Sequence, residues 1–569
     1  MAKALPRNHE VAEQLDLLAD LLELEGEASF RVLAYRRAAT RVRETSSSVA
    51  ELALAGKAKD LSGIGKTIEE KIVQIVDDGE IHALSKRRTG VPTGVVQFMR
   101  LPGLGPKSAA RLWKDLGITT LEELRVAAED QRLRALSGFG ARKEEQILKA
   151  LAVEAPTEQP RALLGLGLPA VLAVVETLRG HPLVDLVSEA GSVRRRKETF
   201  RDLDLIATSS DPAGLTEYFT KLRWVADVIA RGETKATVLS QDGLRFDLRV
   251  VPPESYGNLL QHFTGSRDHN IALREAAVKR GLSVSEYGVK NTDTGEMFTA
   301  ATEDELYDYL GYAFIPPELR ENAGELEAAR DAGLPELVEL RDLRGDLHSH
   351  STWSADGKNT IEEMARAAQA RGHAYLAVTD HSHYLRDGKL EAQWGEIDAL
   401  NEQLTPFVLL KGIEVNIRAD ASLDVDDETL ARCDWVVASV HSGLSGDVTD
   451  RLLAAMENPH VDSIGHPTGR KLNRRAPSEI DFGRVVAKAV ETGTALEIDS
   501  QPDRLDLRDT HARAAADAGV KIAVTSDAHQ ISALDYVEIG IGQARRAWLT
   551  KEQVLNTRTW PQLRKLRKR

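Results

Sequence analysis

The spacing of apolar and polar residues predicts three kinds of structure along this chain. In the N-terminal region apolar residues recur three and four positions apart, as at Ile68, Ile72 and Ile75, which predicts amphipathic helices. In the middle region short segments alternate apolar with polar residues, as in 244–251, which predicts strands with one buried face. In the C-terminal region strand-length apolar runs alternate with helical stretches, which predicts a parallel α/β barrel.

Composition places the chain among soluble proteins with sizeable cores. Its 569 residues suggest about three to five domains, and a hydrophobic content of 42% with 28% charged residues is ordinary for this class. The net charge of −14 comes mostly from residues 151–340, which carry 20 basic and 31 acidic residues. Because local basic patches can bind phosphate on an acidic protein, this charge neither supports nor excludes binding to DNA.

Three classes of protein are excluded by simple counts. Cys433 is the only cysteine, so neither a disulfide framework nor a cysteine-based zinc site is expected. The longest apolar runs have the length of strands, so no transmembrane helix and no membrane partner are expected. The N-terminus has no apolar signal core, and a cytoplasmic protein is the expectation.

A Leu-x-Gly-apolar-Gly pattern occurs three times in the N-terminal region, each time before a helical run. The copies lie in 61–67, 101–107 and 136–142, and their glycines are Gly63, Gly65, Gly103, Gly105, Gly138 and Gly140. Glycine allows close approach of the backbone, and the amides of the following helix present the positive end of its dipole. One copy is equally well explained as a turn between packed helices, but three copies favour a phosphate clamp. No strand precedes these glycines, which argues against a dinucleotide-binding loop.

Three aspartates in the middle region have the spacing of a metal site. Asp202 and Asp204 alternate with apolar residues and therefore point to one face of their strand, and Asp247 lies in a second alternating strand. Clustered carboxylates repel each other, and a divalent cation removes that repulsion. Carboxylates on adjacent strands can hold two metal ions about 3.5–4 Å apart for phosphoryl transfer.

A Gly-Ser turn and a basic run precede the first two aspartates. Ser192, Arg194 and Arg195 lie where they can hold the phosphates of a nucleotide whose metal ions the aspartates bind. Asp-x-Asp alone is a common pattern with no function. The upstream turn and the downstream strand aspartate together favour nucleotidyl transfer.

The C-terminal region contains ten of the fifteen histidines, and many of them follow predicted strands. Parallel barrels place their sites at the carboxyl ends of their strands, and imidazole with carboxylate suits manganese, zinc or iron. A single histidine of this kind is usually a packed or surface residue, but a set at one end of one barrel favours a metal centre. The candidate ligands are His348, His350, Asp356, His381, Glu414, His441, His466, Asp527 and His529.

With the segment 256–266, Tyr-Gly-Asn-Leu-Leu-Gln-His-Phe-Thr-Gly-Ser, residues 1–315 resemble a family X DNA polymerase. The resemblance implies helix-hairpin-helix DNA binding, fingers, a nucleotidyltransferase palm and a thumb. It implies catalytic metal ligands at Asp202, Asp204 and Asp247, and nucleotide binding by Gly191, Ser192, Arg195, His262, Phe263, Gly265 and Asn270. Animal members of the family have tyrosine at the position of His262. Lys71 matches the family's Schiff-base lysine, although a solvated helix lysine explains it equally well.

The barrel resembles the polymerase and histidinol phosphatase (PHP) domain, a phosphoesterase with up to three metal ions. All nine candidate ligands match its pattern, which implies an active centre for metal-assisted hydrolysis of a phosphodiester. Mg²⁺ or Mn²⁺ is expected at the palm, and two to three ions of Mn²⁺, Zn²⁺ or Fe²⁺ are expected at the barrel.

The expected fold is therefore multidomain α+β and α/β, with a distorted parallel PHP-type barrel at the C-terminus. The expected domains are an N-terminal helical lyase-like domain (1–90), fingers (91–155), palm (156–255), thumb (256–315), an acidic linker (316–340) and the PHP domain (341–569).

The expected function is filling of short gaps during DNA repair, with a 3′→5′ exonuclease and an AP endonuclease as a further option. The expected partners are gapped or nicked duplex DNA, 3′ primer ends and dNTPs. The protein is expected to be a monomer in the cytoplasm, associated with the nucleoid during repair. A non-catalytic DNA-repair scaffold and a phosphoesterase for a small phosphate ester remain open as alternatives.

Overall fold

The computed structural model describes residues 5–6, 8–27, 29–45, 48–61, 63–88, 91–98, 104–136, 139–152 and 161–568. The chain forms two compact units, residues 1–160 and 161–569. Among the described residues, no helix combines the length and the apolar character that crossing a membrane requires. Two predicted DNA-contacting glycines, Gly103 and Gly138, lie outside the described residues.

The described part of the first unit is built from helices, as the three-and-four spacing predicts. Their apolar faces form one cluster that includes Leu15, Ile72 and Leu112, each completely buried. The helices are α1 (Asn8–Glu25), α2 (Ser29–Glu44), α3 (Val49–Leu54), α4 (Lys66–Asp78), α5 (His82–Arg88), α6 (Thr93–Phe98), α7 (Pro106–Leu116), α8 (Leu121–Glu129) and α9 (Ala141–Ala152).

The second unit begins with a five-stranded mixed sheet, ordered β2-β4-β7-β6-β5. Strands β4 and β7 are parallel, and the other neighbours are antiparallel. The elements are β1 (Ala162–Leu163), α10 (Leu164–Arg179), β2 (Val187–Glu189), α11 (Gly191–Arg194), β3 (Thr199–Phe200), β4 (Asp202–Thr208), α12 (Pro212–Thr220), β5 (Val225–Arg231), β6 (Lys235–Ser240) and β7 (Arg245–Val251). Alternation along β4 and β7 buries one face against α10 and leaves the other face for polar side chains.

A smaller subdomain follows the sheet and has its own apolar cluster. Its elements are α13 (Tyr256–Thr264), α14 (Arg267–Val278), β8 (Leu282–Ser285), β9 (Gly288–Asn291), β10 (Met297–Phe298), α15 (Glu303–Tyr309) and α16 (Glu325–Arg330). We expected a tether at 316–340, but this segment packs into the cluster through Leu319, Leu326 and Leu337. Arg320 and Glu325 in the same segment are completely buried. The apolar residues that lie between the acidic ones pack against α14 and α15.

The remaining chain forms a seven-stranded parallel sheet whose strands follow one another in sequence order. The elements are β11 (Gly345–Asp346), α17 (Ile361–Ala370), β12 (Tyr375–Val378), α18 (Lys389–Leu404), β13 (Val408–Asn416), α19 (Asp427–Arg432), β14 (Trp435–Ser439), α20 (Thr449–Glu457), β15 (Ser463–Ile464), α21 (Phe482–Thr492), β16 (Ala495–Asp499), α22 (Asp509–Asp517), β17 (Ile522–Thr525), α23 (Val537–Arg546) and α24 (Trp560–Arg564). A parallel bridge between Ser349 and Ala528 joins the continuations of β11 and β17. The sheet is thus nearly closed, and the predicted parallel α/β barrel is confirmed.

The barrel shares apolar cores with the five-stranded sheet and with the subdomain that follows it. Leu505 and Ile539 belong to the cluster beneath the five-stranded sheet, and Trp548 packs against the cluster that contains α14. A side chain at Gly165 would meet Pro502, so α10 also lies directly against the barrel. Residues 161–568 therefore form one continuous body.

Candidate active sites

Three carboxylates occupy the polar face of the five-stranded sheet. Asp202 and Asp204 alternate with the completely buried Leu203 and Leu205 on β4. Strand β7 pairs with β4 so that Asp247 lies directly beside Asp204. The structure thus brings the three predicted palm aspartates to one face of two adjacent strands.

The electrostatics of this face favour a bound cation. Burial, and then the charges of Asp202 and Asp247, raise the pKa of Asp204 to about 7. Arg245 donates to Asp247 from Nε at 2.9 Å, and the Thr237 hydroxyl also donates to that carboxylate. Carboxylates that repel each other at neutral pH are the donor set that a divalent ion takes, so these residues fit the implied metal.

The Gly-Ser turn before β4 lies against the same carboxylates. Gly191 has a φ of +64°, and a Cβ at this position would clash with the carboxylate of Asp204, so only glycine fits. The turn continues through Ser192, which is half-buried, to Arg195. Its backbone therefore runs within contact distance of the predicted metal ligands.

Arg194 and Arg195 are held by residues of the subdomain that contains α13–α16. Arg195 donates from Nε to Glu321 at 3.0 Å and from Nη1 to the carbonyl oxygen of Thr264. Arg194 donates to Glu303 at 2.6 Å, and Glu303 is nearly buried. Both arginines are thus ion-paired and largely buried, and the predicted phosphate ligand Arg195 lies at the junction with α13.

The predicted nucleotide-binding segment 262–270 is preorganised by its neighbours. The Arg249 guanidinium lies 4.2 Å from the ring centroid of Phe263. Asn270 donates to the carbonyl oxygen of His262 at 2.8 Å, beside Gly265 at the end of α13. Burial, and then the charge of Arg274, lower the pKa of His262, so its imidazole is neutral at physiological pH.

The barrel centre is organised around one buried carboxylate on β13. Glu414 Oε1 lies 3.2 Å from His441 Nε2 and 3.3 Å from His466 Nε2. Glu414 Oε2 lies 2.6 Å from His381 Nδ1 and 3.7 Å from His350 Nε2. The Glu414 side chain is 1% exposed, so these imidazoles converge on a group that is shielded from water.

The second carboxylate of the centre follows β17. Asp527 Oδ1 lies 3.1 Å from His350 Nε2 and 3.6 Å from His348 Nε2. Asp356, which is partly exposed, lies 3.3 Å from His381 Nε2 and 3.4 Å from His529 Nε2. All nine predicted ligands thus meet at the carboxyl ends of the barrel strands, with Asp356 at the solvent side.

Buried polar atoms without hydrogen bonds test whether this cluster fits metal ions. Among the described side chains, both oxygens of Glu414, both ring nitrogens of His350 and Nε2 of His348 are buried and form no hydrogen bond. Ligand atoms fall into three groups within 4.8 Å, and His350, His381 and Glu414 each belong to two of them. Leaving such groups without hydrogen bonds is costly, and metal ions bound in this space would satisfy them. The residues therefore fit a centre with more than one ion.

Without metal ions the imidazoles of this centre differ in pKa. Against the effect of burial, the charge of Glu414 raises the pKa of His381 to about 10. Burial, and then the neighbouring His529, lower the pKa of His350 to about 3, so this imidazole is neutral at physiological pH. Neutral imidazole is the form that binds metal.

Two residues that orient ligands were missed by the sequence patterns. Glu497 on β16 accepts from His348 Nδ1 at 2.7 Å and from the backbone amide of His466 at 2.5 Å. Asn416 on β13 accepts from His441 Nδ1 at 2.7 Å. Such contacts fix ring orientation and tautomer. A glutamate inside the otherwise apolar run 495–498 was the available signal for Glu497, whereas nothing local marked Asn416.

The described hairpin glycines leave open space in front of the helices that follow them. A Cβ at Gly65, Gly105 or Gly140 meets no atom within 4 Å, so packing does not require glycine there. Gly63 has a φ of +85°, which does favour glycine. Helices α4 and α7 begin after Gly65 and Gly105 without a side-chain cap, which leaves the free amides of their first turns available to a phosphate. The first residue of α7, Pro106, has no amide hydrogen and does not contribute.

Lys71 lies on α4 in a half-buried position. Its Nζ is 6.0 Å from the ring centroid of Tyr35. Burial, and then the charges of Arg87 and Arg31, lower the pKa of Lys71. Arg36 of α2 is paired internally with Asp20 and Glu23 at 2.8 Å.

Four family models match this chain. One described as "Helix-hairpin-helix domain" matches residues 6–81, and one described as "SAM-like Helix-hairpin-helix tandem" matches 96–152. "DNA polymerase beta thumb" matches 259–321, which includes the start of the segment expected to be a linker. "PHP domain" matches 346–466.

Curated relatives match nearly the whole chain or a part of it. The chain is 41% identical over 561 residues to "DNA polymerase/3'-5' exonuclease PolX" of Bacillus subtilis (strain 168), with 97% of both chains covered. It is 32% identical over 225 residues to a "probable phosphatase" of Thermoanaerobacter sp. (strain X514), which covers 37% of this chain and 89% of that one. A "probable phosphatase" of Caldanaerobacter subterraneus is also 32% identical over 225 residues, with 86% of its length covered.

Proposed function

The chain belongs to the PolX family of DNA polymerases, and we propose that two separate metal sites carry its two activities. It is a family X DNA polymerase with a PHP-domain 3′→5′ exonuclease, and both activities depend on divalent metal ions. DNA repair is the general role of the family. The single observation that supports the assignment is the pair of ligand sets within one continuous body, one of aspartates on β4 and β7 and one of histidines and carboxylates in the barrel.

Nucleotide addition is assigned to the palm face. Asp202, Asp204 and Asp247 would hold Mg²⁺ or Mn²⁺, and such ions activate the attacking 3′ hydroxyl and neutralise the leaving pyrophosphate. Ser192 and Arg195 would hold the triphosphate, because their turn runs beside Asp204.

The segment 262–270, which spans the end of α13 and the start of α14, would hold the sugar and base of the incoming nucleotide. Phe263 and the neutral His262 offer ring surfaces for the sugar and base, and Asn270 keeps the backbone between them in place. Gly265 has a φ of +70° and no side chain, which would let the nucleotide approach the main chain.

Removal of 3′ nucleotides is assigned to the barrel centre. Its nine ligands would hold two to three ions of Mn²⁺, Zn²⁺ or Fe²⁺, which supply a nucleophile at neutral pH and neutralise the phosphodiester. Glu497 would keep His348 in the tautomer whose Nε2 faces the ions. The same chemistry would cut the backbone at an abasic site.

DNA would be gripped through its phosphates by the open helix starts after Gly65 and Gly105, without reading its sequence. The substrate would be a gapped or nicked duplex with a 3′ primer end. We propose that the protein works as a monomer, at DNA in the cytoplasm.

A short-gap duplex with a labelled primer and a 5′-phosphate tests this function. With Mg²⁺ or Mn²⁺ and dNTPs, the purified protein is expected to extend the primer until the gap is filled. With Mn²⁺ and no dNTPs, the same primer is expected to shorten from its 3′ end, and EDTA is expected to stop both reactions.

Other outcomes of this assay point to other functions. Binding of the duplex with neither extension nor shortening in any of the metals would indicate a scaffold. Release of phosphate from a small ester, with the primer left intact, would instead indicate a phosphoesterase like the relatives of the barrel.

We also propose that Lys71 removes a 5′-deoxyribose phosphate. Its neutral amine would add to the sugar C1′ aldehyde and lose water to form an imine, after which elimination releases the 3′ phosphate of the sugar. The lowered pKa of Lys71 supports this role, because only the neutral amine is a nucleophile.

Borohydride reduces such an imine to a stable amine and links the DNA to the protein. Lys71→Ala is expected to lower this covalent trapping at least about tenfold, because the nucleophile is lost. Lys57→Ala is a matched control, since Lys57 is an exposed lysine of the same unit. Equal trapping in wild type and Lys71→Ala would rule out Lys71 as the nucleophile.

A further inference from the structure

Helix α23 of the barrel packs on the turn at 191–198, which contains the residues proposed to hold the triphosphate. Arg546 ends α23, and its side chain is only 3% exposed. Its Nη1 donates to the backbone carbonyl oxygen of Arg195 at 2.9 Å. A residue of the PHP domain therefore contacts the main chain of the turn that carries the predicted phosphate ligands.

The same guanidinium shares a carboxylate with Arg195. Oε1 of Glu321 accepts from Arg546 Nη1 at 2.9 Å and from Arg195 Nε at 3.0 Å. Arg546 Nη2 is itself held by Asp509 at 2.5 Å. Arg546 is thus held in place by Asp509 of its own domain. It also pairs with the Glu321 carboxylate, which pairs with Arg195 as well.

Further contacts from α23 hold the turn along its length. A Cβ at Gly542 would lie 2.9 Å from Cγ of Arg196, so α23 packs directly on the turn. Gln543 Nε2 donates to Glu198 Oε1 at 3.0 Å, and Arg470 donates to the same oxygen at 2.6 Å. The turn is therefore a shared element of the palm and the PHP domain.

We propose that Arg546, a residue of the exonuclease domain, is a positioning residue for nucleotide addition. It acts through Arg195 in two ways. It fixes the backbone of the turn, and it takes part of the charge of Glu321, which otherwise competes with the triphosphate for the Arg195 guanidinium. This proposal rests on the proposed assignment of Arg195 to the triphosphate.

Steady-state kinetics on a gapped duplex test this role. Arg546→Gln is expected to raise the KM for dNTP about tenfold and to change kcat less than about twofold, because ground-state binding is lost rather than chemistry. Binding of dNTP to a complex with a dideoxy-terminated primer, in which no addition occurs, is expected to weaken by the same factor. Arg546→Lys is expected to lie between, since it keeps the charge but not the fork of donors.

The matched control is the neighbouring residue of the same helix. Arg545 pairs with Glu318 at 2.7 Å, as Arg546 pairs with Glu321. The described hydrogen bonds of Arg545 go to Glu318 and to the carbonyl oxygen of Val338, and none goes to the turn. Arg545→Gln is therefore expected to leave the KM for dNTP at the wild-type value. Exonuclease rate and melting temperature are measured on every preparation. In Arg546→Gln the exonuclease rate is expected to stay unchanged, whereas the melting temperature is expected to fall because the Asp509 carboxylate loses its buried partner.

Gly542→Ala provides a second variant that leaves all charges in place. Its methyl group would push on Arg196 and move the turn, so the KM for dNTP is expected to rise here as well. An unchanged KM in both Arg546→Gln and Gly542→Ala would overturn the proposal, as would a parallel loss of exonuclease activity and melting temperature. Arg195→Ala separates the two assignments, because an unchanged KM in that variant would contradict the role of Arg195 itself.

Discussion

Asp204→Asn is expected to abolish nucleotide addition and to leave 3′→5′ degradation at the wild-type rate. Asp204 lies beside Asp247 and points to the same face as Asp202, so its carboxylate belongs to the set that would hold the palm ions. Loss of that carboxylate removes several kcal/mol of charge stabilisation in the transition state, which corresponds to at least about a thousandfold in rate.

Folding of this variant is expected to be intact. The pKa of Asp204 is raised to about 7 by burial and by its acidic neighbours, so asparagine removes a charge that the fold disfavours. The melting temperature of the metal-free protein is therefore expected to be no lower than that of wild type. Primer extension and primer shortening are measured on the same preparation, with Asp227→Asn as a control on an exposed position of the same sheet.

The double variant His348→Ala with His350→Ala is expected to abolish 3′→5′ degradation and to leave nucleotide addition intact. Both rings are completely buried beside Glu414 and Asp527, and their unpaired nitrogens face the space that fits metal ions. Without them the barrel would lose ligands of at least one ion, and 3′→5′ degradation is expected to fall at least about a thousandfold. Nucleotide addition is expected to continue at the wild-type rate.

Removal of two histidines leaves buried carboxylates with fewer partners, so stability needs its own control. Glu414→Gln provides a nearly isosteric second variant, which removes the charge at the centre of the cluster and keeps its volume. His181→Ala, in which the lost ring stacks on Tyr218 in the palm, is the histidine control. If a folded variant of either site lost both activities together, the assignment to two separate sites would be wrong.

Much of both candidate sites was predictable because it depends on local periodicity. Asp202 and Asp204 share a face because side chains alternate along any strand, and His348 and His350 share one for the same reason. The barrel ligands meet because each follows a strand, and parallel strands present their carboxyl ends together. The family resemblance then assigned these positions to palm and PHP chemistry, and the relative that covers 97% of the chain supports that family.

The orienting contacts were not predictable, because they join residues that are distant in sequence. Glu497 and His348 are 149 positions apart, and Arg546 and Arg195 are 351 apart. Their contacts depend on strand register and on how α23 packs against the palm. The segment 316–340 has an acidic composition typical of a tether, yet it packs against the protein because Leu319, Leu326 and Leu337 fit the cluster that contains α14.

The sequence by itself determined the classes of structure, the chemistry of the metal ligands and the strand ends at which they lie, because these follow from short-range patterns of residue type. Only the tertiary structure decided which carboxylates orient which imidazoles, and which domain holds the turn that contains Ser192 and Arg195. Those contacts are made between surfaces whose fit emerges only when separate elements pack together.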